Sequence, residues 1–313
     1  MLRYVARRAA TGVLLLFVIS FLTYVLLSLP DQDVGRSLLG LNAPDELVAA
    51  KNTELGLDRP VLAQYWGWLT GAVQGDLGSS WFTSAPVGAL IASRIPVTLS
   101  LVLGVTIVTT VASFALGLWA GVRGGLVDKF VQAFAVFGYA LPGFLVTLVL
   151  VIVFAVRLGW FPAIGYIRPQ ESVLGWLSTI TLPVLALSVS AVAGTAQQVR
   201  SAVIDVLRQD YVRTLRTRSL SSARILWRHV LRNAAPAAIT VIGLQFVGLL
   251  GGAVIVEYIF GLPGIGGLTV EYTVQGDIPV IMGLLMVTVI GVVLVNLAVD
   301  LIIGLLNPKA RLS

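Results

Sequence analysis

Thr98–Gly121 reads TLSLVLGVTIVTTVASFALGLWAG, 24 residues without one Asp, Glu, Lys or Arg. A bilayer's hydrocarbon core, about 30 Å thick, is crossed by roughly 20 apolar helical residues. A helix satisfies every backbone group within its own segment, which lipid demands. Five further stretches share this character: Ala9–Pro30, Phe130–Val156, Ser172–Val199, Ala234–Val256 and Ile278–Val299, each at least 22 residues long. Their apolar residues run on instead of alternating with polar ones, which excludes a β-barrel. Whole-chain composition agrees: of 313 residues, 57% are hydrophobic and 12% charged, against about 25% charged in a soluble domain. The expected fold is all-α, a polytopic membrane protein with six transmembrane helices. The absence of Cys excludes disulfides and thiolate metal sites, and a single His leaves no His-built metal site.

The first stretch follows Arg3, Arg7 and Arg8 as a signal peptide's basic region would. It is longer than an apolar signal core of about 7–15 residues, and no small-residue cleavage site follows Ser28-Leu29-Pro30, so it reads as a retained helix. Orientation follows from Lys and Arg. With both termini cytoplasmic, fifteen of the 21 basic residues lie inside and six outside. The inverse arrangement would put those fifteen outside. The expected layout is an N-terminal tail and first helix (1–30), an extracytoplasmic helical insert (31–97), a five-helix core (98–303) and a cytoplasmic C-terminal tail (304–313).

In the insert, Asn42-Ala43-Pro44-Asp45-Glu46 predicts a helix start, with acids in its first turn, and Gly56 its stop. A second helix is predicted over Val61–Val73, where Tyr65, Trp66, Trp68 and Leu69 suit a membrane interface. The insert reads as a cap on the helix ends, with direct ligand contact as the alternative. Some 65 residues are too few for a large independent core.

The hairpin at 200–233 carries eight arginines. Val203, Leu207, Tyr211 and Leu215 recur every four residues, one face of a helix. Ser219-Leu220-Ser221 breaks the pattern, with Ser221 as an N-cap. A second amphipathic helix then carries Trp227, Val230, Leu231 and Ala234. Arginines near anionic lipid explain the charge but not the stripe. Nucleic acid is disfavoured, because no known motif is present and the segment sits against a membrane. A docking surface for a soluble cytoplasmic partner explains both features.

Several chemistries are missing. No Gly-Lys dipeptide exists, so the chain carries no P-loop, and neither His-Glu-x-x-His nor Gly-x-Ser-x-Gly occurs. Gly261-Leu-Pro-Gly-Ile-Gly-Gly267 reads as turn-forming. No carboxylate lies mid-span, which argues against an ion-coupled carrier. Asp300, at the inner end of the last span, reads as a solvated or helix-paired carboxylate; Glu257, at the outer end of the fifth, as paired with an external base or facing a cavity. Arg94 and Arg157 border spans and can snorkel. Gly117, Gly121, Gly243, Gly248, Gly251 and Gly252 read as close-packing positions, and Pro142, Pro183 and Pro279 as kinks.

Several blocks resemble the permease subunits of bacterial ATP-binding-cassette (ABC) importers of the dipeptide, oligopeptide and nickel group. They are Leu55-Gly-Leu-Asp-Arg-Pro60, Gly75-Asp-Leu-Gly-Ser79, Pro96-Val-Thr98, Arg157-Leu-Gly-Trp160, Val256-Glu-Tyr-Ile-Phe-Gly-Leu-Pro-Gly-Ile-Gly266 and Val299-Asp-Leu301. Asp210-Tyr-Val-Arg-Thr214 and the run from Arg228 to Asn233 resemble that family's coupling region. The order and spacing of the blocks cover nearly the whole chain. The family's coupling loop usually reads Ala-Arg-Ala-Lys-Gly where this chain has Leu215-Arg-Thr-Arg-Ser219, and its terminal Asp-Pro-Arg is here Asn307-Pro308-Lys309. Ser is strained where Gly turns freely, so the change implies a bend of another geometry or a partner with a matching groove.

The resemblance implies a type I ABC importer permease fold in the bacterial inner membrane. The implied partners are a second permease subunit that is a distinct homologous chain, two cytoplasmic ABC ATPases and an extracytoplasmic substrate-binding protein. ATP and Mg would be bound by the ATPases, with no cofactor and no enzymatic centre in this chain. Arg213, Thr214, Leu215, Arg216, Thr217, Arg218, Ser219, Leu220 and Ser221 would form the coupling helix, supported by Asp210, Tyr211, Arg228, His229 and Arg232. Glu257, Pro263 and Gly264 are candidates for an outer gate or path. Peptides are the expected cargo, with nickel, haem, glutathione or another small solute as alternatives. A stand-alone channel or carrier is the reading from another class.

Overall fold

The computed structural model describes residues 2–29 and 33–306. Helix α1 is Leu2–Leu27; three short helices follow, α2 (Val34–Leu39), α3 (Asp45–Glu54) and α4 (Val61–Val73). The long α5 is Val87–Arg123 and leads into α6 (Gly125–Ala140) and α7 (Gly143–Leu150), which runs on through a π-helical turn at Val151–Arg157. Next come α8 (Val173–Leu207), α9 (Asp210–Thr217) and α10 (Ser222–Ile225), the last continuing through a π-helical turn at Leu226–Val230 into α11 (Leu231–Ile259). Helices α12 (Ile265–Gln275) and α13 (Ile278–Leu306) close the described chain. Of the expected C-terminal tail, 307–313 lies outside the described residues, Asn307-Pro308-Lys309 included, as does Pro30 at the end of the first expected span.

Among the described residues, five helices are long and apolar enough to cross a bilayer: α1 from Ala6, α5, α8, the continuous run Ser222–Ile259, and α13. The third expected span, Phe130–Val156, is not one helix. It is the pair α6 and α7, bent by 99° at Leu141-Pro142. Proline disfavours the helical conformation in the residue before it, and Leu141 is extended, with φ −83° and ψ 119°. Pro142 then caps α7, where a missing N–H breaks no bond. Counting the bent pair as one span gives the expected six. Pro183 lies inside α8, and Pro279 in the first turn of α13, where proline fits.

The chain divides into two compact units, one of Val97–Gly266 with the chain from Leu294 on, the other of Leu2–Pro96 with Gly267–Val293. In the first, Val97, Leu101 and Val105 repeat every four residues along α5. They pack with Ile180, Leu182 and Val184 of α8 and Val256 and Phe260 of α11. Between lipid-embedded helices the driving force is contact, and small residues let backbones approach. Side-chain atoms built on Gly104, Gly117 and Gly121 would stand 2.7, 2.6 and 2.9 Å from Val184, Val199 and Val203 of α8. Gly243 fits Val299 in the same way, at 2.8 Å. The expectation fails at Gly248, Gly251 and Gly252: the first two meet nothing within 4 Å, and the third only Leu187 at 3.8 Å. Asp128 of α6 forms a bidentate ion pair with Arg200 of α8, its Oδ2 accepting from Nη2 at 2.7 Å.

In the second unit, Tyr65 of α4 is fully buried. Its ring meets Phe21 and Tyr24 of α1 edge-on at 5.3 and 5.6 Å, and its hydroxyl lies 3.0 Å from Ser20 Oγ. Tyr65 is thus a packing residue, and Trp66 beside it is the exposed aromatic. Asp277, also buried, accepts from Ser80 Oγ at 2.6 Å and from the Trp81 N–H at 3.1 Å. At the start of α2, hydrogen bonds from Asn52 and from the Arg36 N–H hold the Asp33 carboxyl below the usual carboxylate range.

Gly117 and Gly248 provide a direct test of this packing. Gly117→Ala is expected to destabilise the assembled protein by about 1–3 kcal/mol, the cost of overpacking. Gly248→Ala, into open space, is expected to be neutral or to stabilise by about 0.5–1 kcal/mol through helix propensity. Thermal unfolding of the two variants in one detergent gives the comparison; equal melting temperatures would contradict the packing.

Candidate functional site

Helix α8 ends at Leu207, and Arg208-Gln209 redirects the chain before α9 begins at Asp210, whose charge suits a helix N-terminus. This break resets the helical register. The expected face Val203–Leu207–Tyr211–Leu215 assumes one continuous helix; instead Val212 takes the fully buried position in α9. Val212 joins Val199, Val203, Val206, Ile225, Val230, Ala234 and Ala238 in a closed cluster, with Leu215 and Leu220 at its edge. The hairpin therefore consumes its own apolar stripe. Tyr211 is half-exposed, and its hydroxyl accepts from Asn233 Nδ2 at 3.0 Å, tying α9 to α11.

The expected coupling helix, Arg213–Ser221, is helical only as far as Thr217; Arg218–Ser221 forms the bend. Ser219 has φ +57°. The left-handed turn that glycine usually makes is thus retained with a side chain in place, at some strain. Ser221 caps α10 as expected, its hydroxyl accepting from the Arg224 N–H at 3.4 Å. Trp227, expected on the apolar stripe, is 64% exposed. It lies within the π-helical turn, which rotates it off the face that Val230 and Ala234 keep.

What the hairpin presents outward is polar and cationic. Arg213, Arg216, Arg218, Arg224, Arg228 and Arg232 are exposed, with Thr214, Thr217 and Trp227 among them. Arg213 makes a surface pair with Asp210 at 3.5 Å, which is worth little in water. His229 is half-buried, and its carbonyl accepts from Asn233 Nδ2 at 2.8 Å. The bend is thus a rigid, strongly basic knob on an apolar base.

Glu257, near the end of α11, is fully buried. Thr98 Oγ1 donates to its Oε1 at 2.7 Å, and the Gly266 N–H to its Oε2 at 2.8 Å. The Ile265 N–H in turn donates to Thr98 Oγ1 at 2.9 Å. These are neutral donors, where a basic partner was one expectation. A side chain at Gly264 would overlap the carboxylate, and one at Gly266 would stand 2.7 Å from the Val254 backbone. Glu257 and Gly264 thus act together to tie the turn after α11, while Pro263 is exposed at its apex.

Sequence reasoning missed a cavity of about 390 Å³ bordered by Tyr139, Ser190, Gln245, Gly248 and Gly252. The available signal was Gln245, a polar side chain in an apolar span three residues before an open glycine. Its Oε1 accepts from Thr195 Oγ1 at 2.9 Å, and its Nε2 donates to the Ala191 carbonyl at 3.0 Å. The Asp128–Arg200 pair was missed too, because partners 72 positions apart have no local signature.

Ser219→Gly is expected to stabilise the hairpin by up to about 1 kcal/mol by relieving the positive φ, and Ser219→Val to destabilise it by more than that. Proteolytic nicking at the bend, faster in the valine variant and slower in the glycine variant, is the measurement.

Comparison with known proteins bears on the same chain. Residues 113–312 match the family described as binding-protein-dependent transport system inner membrane component, and residues 1–102 match the N-terminal region of such membrane components. A putative peptide transport system permease protein of Brucella abortus (strain 2308) is 35% identical over 308 residues, 98% of each chain. A glutathione transport system permease protein of Escherichia coli O6:H1 is 35% identical over 312 residues, 99% of each chain. A probable peptide ABC transporter permease protein of Sinorhizobium fredii is 33% identical over 309 residues, 98% of this chain and 99% of that one. Among solved structures, a chain of an inward-facing MetNI methionine ABC transporter matches with TM-score 0.54 at 19% identity, over 70% of this chain and 96% of that one.

Proposed function

The chain belongs to the inner-membrane components of binding-protein-dependent transport systems, and on that premise we propose that it carries di- or oligopeptides inward and couples their passage to cytoplasmic ATPases through the hairpin around Ser219. It is a multi-pass permease subunit of an ABC importer with the type I fold. Such a permease works with ATPase subunits, a substrate-binding protein and a second permease. Here the second permease is a distinct homologous chain, and two ATPases bind ATP and Mg. Catalysis of ATP hydrolysis resides in those partners.

The observation that carries the coupling role is the division of labour within the hairpin. Its apolar residues are spent on its own base, and six arginines stand free of that base around the bend. A lever must transmit force without deforming. A closed core beneath a charged tip meets that need, and complementary charge gives a partner groove its register. Both termini are cytoplasmic, since that orientation keeps the arginine-rich hairpin inside. Glu257, Pro263 and Gly264 serve as a structural tie at the outer end of the path, setting where α12 begins.

For the cargo, two peptide permeases stand among the relatives. The cavity at Gln245 is lined mainly by apolar residues, among them Phe144, Leu187, Leu249 and Ile255, with Tyr139, Ser190 and Gln245 as neutral polar groups and no charged side chain, which suits a peptide read without regard to side-chain charge. Glutathione, itself a small peptide, is the second reading, favoured by the Escherichia coli relative.

Arg216→Glu combined with Arg218→Glu is expected to lower ATP-dependent uptake by the reconstituted importer about tenfold or more, the scale of a reversed charge contact. ATPase turnover would persist but no longer respond to loaded binding protein. Uptake equal to wild type would remove the hairpin from the coupling path.

A further inference from the structure

Three membrane-crossing elements meet at their midpoints. Ser190 is the middle residue of α8 and Gln245 that of α11, and the bend at Leu141-Pro142 divides the third span about in half. The cavity of about 390 Å³ lies at this level, with Tyr139, Gly143, Phe144, Ser190 and Gln245 on its walls. Non-helical backbone at such depth persists only where protein or water receives its polar groups. Here the Leu145 and Val146 N–H groups bond the Pro142 carbonyl, but those of Gly143 and Phe144 meet no acceptor among the described residues, and no side chain caps α7. The cavity is therefore the polar spot in an otherwise apolar layer.

Gln245 gives that spot a chemical preference. A primary amide carries two N–H donors and two oxygen lone pairs. Helix α8 takes one of each: Thr195 Oγ1 donates to Oε1 at 2.9 Å, and Nε2 donates to the Ala191 carbonyl at 3.0 Å. The carboxamide is thereby held from one side, with one N–H and one lone pair left over. Gln245 is only half-buried and borders the cavity, so these are within reach of a solute. Tyr139 converges on the same place: a side chain at Gly194 would overlap its hydroxyl and stand 3.4 Å from Gln245 Nε2. A fixed donor beside a fixed acceptor is the complement of the N–H and C=O that one residue of an extended peptide turns to the same side. An apolar pocket with a few convergent polar groups is the usual form of a small-molecule site.

We propose, on the peptide reading above, that this cavity is a subsite on the cargo's way through the membrane, where Gln245 pairs with the main chain of one residue of the peptide. Tyr139 and Phe144 flank that residue's side chain, and Gly248 and Gly252, which bring no side chain of their own, leave room for it. Pairing with main chain rather than side chain lets one site serve peptides of differing sequence. Gln245 thus determines specificity, selecting amides over other uncharged solutes.

The test uses the whole importer in proteoliposomes, with its binding protein saturated by either of two cargoes: trialanine, or its depsipeptide analogue with an ester in place of the amide before the middle residue. Wild type is expected to import the ester about fivefold more slowly, the scale of one lost hydrogen bond. Gln245→Met, of similar length but without donor or acceptor, is expected to bring the ratio of the two rates to about one. Both rates come from one preparation, so their ratio does not depend on how much of the variant assembles. Thr195→Val, which frees the carboxamide to turn, is expected to lower the ratio to about two, and it serves where the methionine variant does not assemble. A ratio unchanged in both variants would make Gln245 a tie between α8 and α11 only, and overturn the subsite. Equal import of the two cargoes by wild type would overturn it without any variant. Absence of trialanine uptake by wild type would instead overturn the peptide reading on which the subsite rests.

Discussion

A bilayer offers the backbone no hydrogen-bonding partner, so each crossing segment must satisfy itself. That constraint makes the chain helical, and it also removes the hydrophobic effect as a force between helices, because lipid is as apolar as Leu or Val. Steric fit remains. Along α5 it is supplied by Gly104, Gly117 and Gly121, each facing a valine of α8. The 4-residue spacing keeps Gly117 and Gly121 on one side of a 3.6-residue helix. Where such fit is absent, at Gly248 and Gly251, the helix borders open space, and a cavity of about 390 Å³ lies against Gly248.

Electrostatics enters where lipid ends. Asp128 and Arg200 are paired and only partly exposed, a geometry in which two planar groups meet by two hydrogen bonds. Removing one partner would leave the other poorly solvated, so the pair acts as a pin between α6 and α8. Glu257 solves the same problem differently. With a hydroxyl and a backbone amide among its donors, it orders a glycine-rich turn.

Much of the fold was legible from the sequence. The limits of the insert helices, α3 beginning at Asp45 and α4 covering Val61–Val73, follow from Pro44, Pro60 and Gly56, since local signals decide local starts and stops. The spans were legible because length and charge exclusion are properties of a segment alone. The break at Leu141-Pro142 was visible as a proline, but not as a 99° bend, because a proline's outcome depends on what packs around it. The hairpin's register was misread for a related reason. A four-residue repeat from Val203 to Leu215 looks continuous in sequence, yet Arg208-Gln209 interrupts it. Likewise the π-helical turn at Leu226–Val230 carries Trp227 to the surface; one added residue in a turn has no compositional mark.

These two register shifts bear on how the hairpin functions. Of the stripe Val203–Leu207–Tyr211–Leu215, all but Tyr211 pack in the hairpin's own cluster, so no apolar helix face is left for a partner to cover. The interruption at Arg208-Gln209 adds Val212 to that cluster, and the hairpin is complete by itself. The surface left for a partner is made of arginines and threonines, whose contacts are reversible, salt-sensitive and directional. Under the coupling role proposed for it, the hairpin is well served by such a surface, because its own shape does not depend on the partner being present. The strain held at Ser219 fits this picture: a non-glycine residue keeps a left-handed turn only where the surroundings over-determine it, and here they are the closed cluster beneath the bend.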